Sequence, residues 1–163
     1  MSKIELDKTD RKILSILQQD GRLSNQDVAD RVSLSPSPCL RRIKRLEEAG
    51  VIRQYVALLD PVQIGLGLLA YVNVRLEKHG ETGARSSASP RVAFAAAVMH
   101  WPEVVACHAM TGEMDYLLRV HVEDMEHFSR FMMDTLLKHS AVLDVRSSFA
   151  LQRVKETTAL PLG

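Results

Sequence analysis

Residues 35–50 read Ser35-Pro-Ser-Pro-Cys-Leu-Arg-Arg-Ile-Lys-Arg-Leu-Glu-Glu-Ala-Gly50, and the reading of this stretch decides what the first third of the chain builds. Ser35 suits a helix N-cap, and Pro36 suits the first helical position because its missing N–H would be unpaired there anyway. Pro38 still falls in the first turn, where proline costs little. Cys39 or Leu40, then Ile43 and Leu46, recur at the spacing of one buried helical face. Four cations, Arg41, Arg42, Lys44 and Arg45, project from the rest of the surface, and Ala49-Gly50 closes the helix. Glu47 and Glu48 stand at helical spacing from several of them, so a merely solvated face would have the same composition. The neighbouring segments separate these two readings.

Upstream, Leu6, Ile13, Leu14, Ile16 and Leu17 paint one face of a helix over 7–19, with Asp7 and Asp10 at its N-terminus and Asp20-Gly21 at its end. Ser24 and Asp27 have the spacing of a capping box, and the helix they open, 25–32, buries Val28, Ala29 and Val32. A short turn, 33–35, leads into the cationic helix. Three short helices on tight connections, the last capped and basic, form the pattern of a helix-turn-helix whose second motif helix enters the major groove. Residues 51–60, VIRQYVALLD, place strand formers on both sides of a polar pair and predict a small wing or hairpin.

At this point a resemblance becomes specific. The run from Leu6 to about Pro61, and the piece LSPSPCLRRIKRLEEAGVI within it, resembles the DNA-binding half of the Lrp/AsnC family of bacterial and archaeal regulators. The resemblance implies a recognition helix starting near Pro36. It places Ser24, Asn25, Ser35, Ser37, Pro38, Arg41, Arg42, Lys44 and Arg45 at the DNA. Physical chemistry supports distinct roles: serines and N–H groups at a helix start hold phosphate, and an arginine can bridge guanine O6 and N7.

Asp60-Pro61, then Gly65 and Gly67, mark a hinge. Beyond it Ala70, Val72, Val74 and Leu76 alternate with Tyr71, Asn73, Arg75 and Glu77 as a half-buried strand. Residues 79–91 are breaker-rich and read as a loop, and a helix is expected from Pro90 to about His100. Strands are expected over 103–110 and 115–122 about a turn at Thr111-Gly112-Glu113-Met114. Asp124 caps a helix bearing Met125, Phe128, Phe131, Met132, Leu136 and Leu137, and Leu143, Val145, Ser147, Phe149 and Leu151 then alternate with polar residues. The order β-α-β-β-α-β is ferredoxin-like, with helices on one face of an antiparallel sheet. Apolar residues on both sides of the 103–110 strand point to a second copy of the chain on the other face.

This half resembles the effector and oligomerisation domain of the same family through CHAMTGEMDYLLRV (107–120) and VKETTALPL (154–162). The resemblance implies amino-acid sensing between neighbouring C-terminal domains, and homodimers assembling to tetramers or octamers. Gly112, Asp115 and Tyr116 match the family pattern; Thr111, Glu113, Ser147 and Ser148 lie nearby by inference. Read without the family, the same turn is a tight hairpin in which Gly112 supplies backbone freedom and Asp115 a cap. The region 79–91 is longer and more polar than the family usually has.

Composition bounds the alternatives. Net charge is +1, but residues 1–55 hold 11 Lys/Arg against 8 Asp/Glu while the remainder holds 10 against 12, so position carries the nucleic-acid argument. No apolar run approaches the roughly 18 residues of a bilayer span, the start lacks a signal-peptide core, and the cytoplasm is the expected compartment. Cys39 and Cys107 fit free thiols there. The histidines show no zinc spacing, and no phosphate-binding or nucleophile-elbow motif occurs, so no metal, no cofactor and no enzymatic activity are expected. A decarboxylase-like enzyme of the same two-domain fold, or an amino-acid sensor without DNA binding, are the rival readings.

The resulting expectation is an α+β protein: a (winged) helix-turn-helix domain over 1–60, a linker over 61–67, and a ferredoxin-like domain over 68–163. Its expected function is a sequence-specific transcriptional regulator modulated by an amino acid such as leucine or methionine.

Overall fold

The computed structural model describes residues 4–77 and 89–162. Most of the 79–91 loop read from the sequence therefore lies outside the described residues. The chain divides into two compact units, one running to Leu58 and regained from Val154 onward, the other Leu59–Arg153. The final segment, which the sequence reading assigns to the second domain, groups with the first.

The first unit holds α1 (Lys8–Gln19), α2 (Asn25–Val32) and α3 (Pro36–Glu48). A capping box opens α1: Asp7 accepts from the Asp10 N–H while the Asp10 side chain accepts from the Asp7 N–H. Ser24 and Asp27 repeat the device on α2, which Ser33 ends in the left-handed conformation at φ 57°. These caps satisfy N–H groups that no helix can pair internally, and each is typically worth about 1 kcal/mol. Ile13, Leu14, Val28, Ala29, Val32, Cys39, Ile43 and Leu46 close the core. Of the two candidates for the inner stripe of α3, Cys39 is buried and Leu40 is 41% exposed. Past Gly50 the N–H groups of Val51 and Ile52 both return to the Leu46 carbonyl.

Over 51–60, where the sequence predicts a small wing or hairpin, the backbone pairs with no strand among the described residues. Tyr55 instead lies against Gly21 and donates to Glu47 at 3.0 Å, which ties this segment to the end of α3. Burial and the Glu47 carboxylate push the Tyr55 phenol up to about 12. The last residues strap α1: Gln18 and the Leu160 backbone exchange two hydrogen bonds, Arg11 donates to the Leu162 carbonyl, and Leu162 packs on the helical core.

The second unit is β1 (Leu68–Leu76), α4 (Pro90–Val98), β2 (Val104–Ala109), β3 (Tyr116–Val122), α5 (Met125–Phe131) and β4 (Val142–Phe149). The sheet order is β2-β3-β1-β4, every neighbouring pair antiparallel, as the β-α-β-β-α-β order predicts. Ala70, Val72, Val74 and Leu76 face one side with Leu118, Val120 and Val122, and Phe94, Val98, Phe128 and Phe131 of α4 and α5 cover them. A π-helical turn, Met132–Leu136, extends α5; it buries Met132 and Leu136 but leaves Met125 and Leu137 exposed.

Bulges shift two strands away from the alternation read in sequence. Between Arg75 and Leu76 the register slips, so Val142 opposes Leu76 and Leu143 becomes the extra residue, 55% exposed. A second slip between Val104 and Ala106 turns Val104 and Cys107 toward the helices and leaves Val105 exposed. The other side of β2 then carries Ala106 and His108, and the uncovered face of the sheet is mixed rather than apolar. Leu151, read as part of β4, lies beyond it and is fully exposed.

Gly112 sits at φ 105°, a conformation that side chains avoid, although nothing would crowd an added Cβ. Gly112→Ala therefore tests backbone strain alone. It is expected to cost about 1–2 kcal/mol in urea unfolding of the ligand-free chain, and an unchanged midpoint would refute the assignment.

Candidate functional site

Helix α3 presents two kinds of cation. Cys39, Ile43 and Leu46 point inward, so Ser37, Arg41, Lys44 and Glu48 share the opposite, outward face at helical spacing. Arg41 and Lys44 are exposed and form no ion pair among the described residues. Arg42 and Arg45 turn to the flank and bind α1. Arg42 Nη1 lies 2.6 Å from Asp7 Oδ2 and 2.9 Å from Asp10 Oδ1, and Arg45 Nη2 hydrogen-bonds Asp10 Oδ2. Asp10 is fully buried, the one charged side chain so placed among the described residues. The pairing holds the Arg42 guanidinium above its already high ordinary pKa.

The other expected DNA contacts divide similarly. The Ser35 hydroxyl makes no capping bond and is exposed at the start of α3, beside exposed Ser37. Pro38 is half-buried. Ser24 is committed to its capping box, accepting from the Asp27 N–H and donating to Asp27 Oδ2 at 2.6 Å. Asn25 donates from Nδ2 to the Pro36 carbonyl at 2.9 Å, joining the starts of α2 and α3, and its Oδ1 is buried with no hydrogen-bond partner. Glu47, a sequence candidate for pairing with the α3 cations, holds Tyr55 instead. Sequence reasoning missed the Asp10 cluster because helix 1 shows only a capping acid, and no local spacing links it to residues 32 and 35 positions later.

The Asp10 N–H, and after it Arg42, hold the Asp7 carboxyl below its ordinary value of 3.8. A depressed carboxyl stabilises the fold above the unfolded value and loses that contribution as pH falls through the folded one. The stability gap between wild type and Asp7→Asn is therefore expected to shrink between pH 5 and pH 2. A gap independent of pH in thermal melts would exclude this linkage.

In the second unit the turn between β2 and β3 gathers part of the predicted effector set. Thr111, Gly112 and Glu113 are exposed; Asp115 and Tyr116 are half-buried. Asp115 Oδ2 accepts from the Leu76 N–H and Oδ1 from Arg91, both at 2.9 Å, while its N–H donates to Val74. Asp115 thus joins the turn to β1 and to the first turn of α4. Tyr116 packs against Phe94 with ring centroids 5.0 Å apart and the rings tilted by 41°. Ser147 and Ser148 oppose Val72 and Tyr71, so their side chains leave the strand on opposite faces. The β4 residue that reaches the turn is Arg146, 3.9 Å from Glu113 and 3.9 Å from Asp144, which in turn meets Arg75 at 3.2 Å. Alternating charge on neighbouring strands was present in the sequence, but only the register shows that it converges. Among the described residues no group of three or more His, Cys, Asp or Glu could hold a metal, and no helix is long and apolar enough to cross a membrane.

A trihelical head with an outward cationic second motif helix, carried with a β-α-β-β-α-β unit, defines a DNA-binding regulator with a separate ligand-binding domain. Residues 6–53 match the family model for winged helix-turn-helix DNA-binding domains, and residues 69–160 match that for the Lrp/AsnC ligand binding domain. The chain belongs to the Lrp/AsnC family of transcriptional regulators. It is 43% identical over 157 residues to the DNA-binding transcriptional activator DecR of Escherichia coli K12, covering 96% of this chain and 99% of that one. It is 39% identical to the leucine-responsive regulatory protein of Salmonella typhimurium, covering 96% and 91%. The L-Met complex of a transcriptional regulator from Neisseria meningitidis superimposes with a TM-score of 0.89 at 52% identity, covering 97% of each chain.

Proposed function

We propose that the protein binds operator sequences through the outward face of α3, with Ser35, Ser37, Arg41 and Lys44 at the duplex, and that an amino acid bound at the 111–116 turn modulates this binding. The observation that carries the reading is the exposed Ser37–Arg41–Lys44 face on a helix whose remaining arginines are paired with carboxylates at the start of α1. Hydroxyls and N–H groups at the helix start suit phosphate, and the exposed Arg41 and Lys44 cations suit it as well. Ser24 and Asn25 support the motif from its first helix. In this reading the chain acts without catalysis, in the cytoplasm, as a homodimer through the uncovered sheet face that assembles to tetramers or octamers. Two recognition helices then address half-sites about one helical turn apart.

For the effector, Gly112 lets the backbone expose N–H groups to a carboxylate, Glu113 and Asp144 offer acceptors for an ammonium, and Arg146 a second carboxylate partner. Thr111, Tyr116, Ser147 and Ser148 shape the surroundings, and Asp115 holds the turn in place. The methionine held by the Neisseria regulator makes methionine the first candidate and leucine the second. A thermal-shift screen of the twenty amino acids tests this, since a ligand at 100 times its Kd adds about 2.7 kcal/mol to the native state. Methionine or leucine should raise the melting temperature in wild type and much less in Asp115→Ala. No shift from any amino acid would remove the effector reading.

A further inference from the structure

Hydrophobic contact is non-directional, so the Cys39–Ile43–Leu46 stripe alone leaves α3 some freedom to rotate or slide on its neighbours. The Asp10 carboxylate removes that freedom. It meets α3 at Arg42 and again at Arg45, three residues or about 4.5 Å further along the axis. Arg42 also bridges to Asp7, so two guanidinium groups and two carboxylates form one neutral cluster at the start of α1. Charge-assisted hydrogen bonds are short and directional, and a buried carboxylate is unfavourable unless paired in good geometry. Such a group contributes orientation more than it contributes stability.

We infer that Asp10 is a positioning residue for DNA recognition: through Arg42 and Arg45 it sets the rotation of α3, and these two arginines make no phosphate or base contact. The inference rests on the proposed DNA-binding role of α3. It reassigns half of the positive charge in the basic helix from the duplex to the contact with α1, although the Arg42 and Arg45 side chains stay 32% and 48% exposed.

The test compares the full chain with its variants on two duplexes. One is selected by the wild-type protein from a random-sequence pool, and the other is a scrambled duplex of equal length and composition. Each phosphate contact contributes about 0.9 to the slope of log K against log salt. Arg41→Ala and Lys44→Ala should each flatten that slope by about one contact. Arg42→Gln, which removes the cation, should leave the slope unchanged, and Arg42→Lys, which keeps the cation but cannot bridge two carboxylates in the same geometry, should lower the preference for the selected duplex about tenfold. Asp10→Asn should do the same, with the binding-competent fraction fixed by stoichiometric titration and folding checked by circular dichroism. A slope loss of one contact in Arg42→Gln, or a wild-type preference in both Asp10→Asn and Arg42→Lys, overturns the inference. Wild-type protein that binds neither duplex in dilute buffer overturns the DNA-binding reading itself.

Discussion

Phe94→Ala lowers the stability of the second unit by about 3–5 kcal/mol, the range for truncating a buried aromatic without collapse of the site. Phe94 is fully buried. Its ring meets Trp101 edge-on at 5.7 Å, His139 edge-on at 5.5 Å and Tyr116 at 5.0 Å, so the lost atoms leave a void that three rings border. Relaxation is restricted because Arg91, on the same helix, is tied to Asp115. Urea unfolding followed by Trp101 fluorescence reads the effect directly. The consequence reaches the effector turn, since Tyr116 loses the surface against which it packs. A loss below about 1 kcal/mol would mean that the cluster closes around the gap.

The second large effect lies at the DNA. Arg41→Ala combined with Lys44→Ala is expected to weaken binding to a selected duplex by about 100-fold at 0.1 M salt, or about 2.7 kcal/mol. The salt slope should flatten by about 1.8, two contacts at 0.9 each. Neither side chain is paired within the protein among the described residues, so the thermal melt of the head should be unchanged. That combination, lost affinity with retained folding, separates the outward face of α3 from its flank. Equal loss of folding would place Arg41 and Lys44 in the structural network instead.

Much of this molecule was legible before any coordinates. The carboxylates Asp7 and Asp10 at the start of α1, the capping box at Ser24–Asp27, the Pro36 start and the apolar spacing of α1 to α3 are local signals, acting over three or four residues. The strict alternation of β1 and the β-α-β-β-α-β order likewise follow from short-range pattern and allowed connections. The turn at Gly112 was visible as a breaker between two strand patterns.

What stayed hidden was every feature made by residues far apart in sequence. Leu143 read as core until a bulge shifted its phase, and a bulge is a property of two strands, not of one. Arg146 showed no link to Glu113 until β4 paired beside β1. The four cations of α3 read alike in sequence, because periodicity gives a side chain's direction and not its partner. Direction alone places Arg42 and Arg45 on a flank; the tertiary fold decides that a buried carboxylate waits there. Local free energies of capping and patterning are written in neighbouring residues, whereas ion pairs and register depend on which surfaces meet.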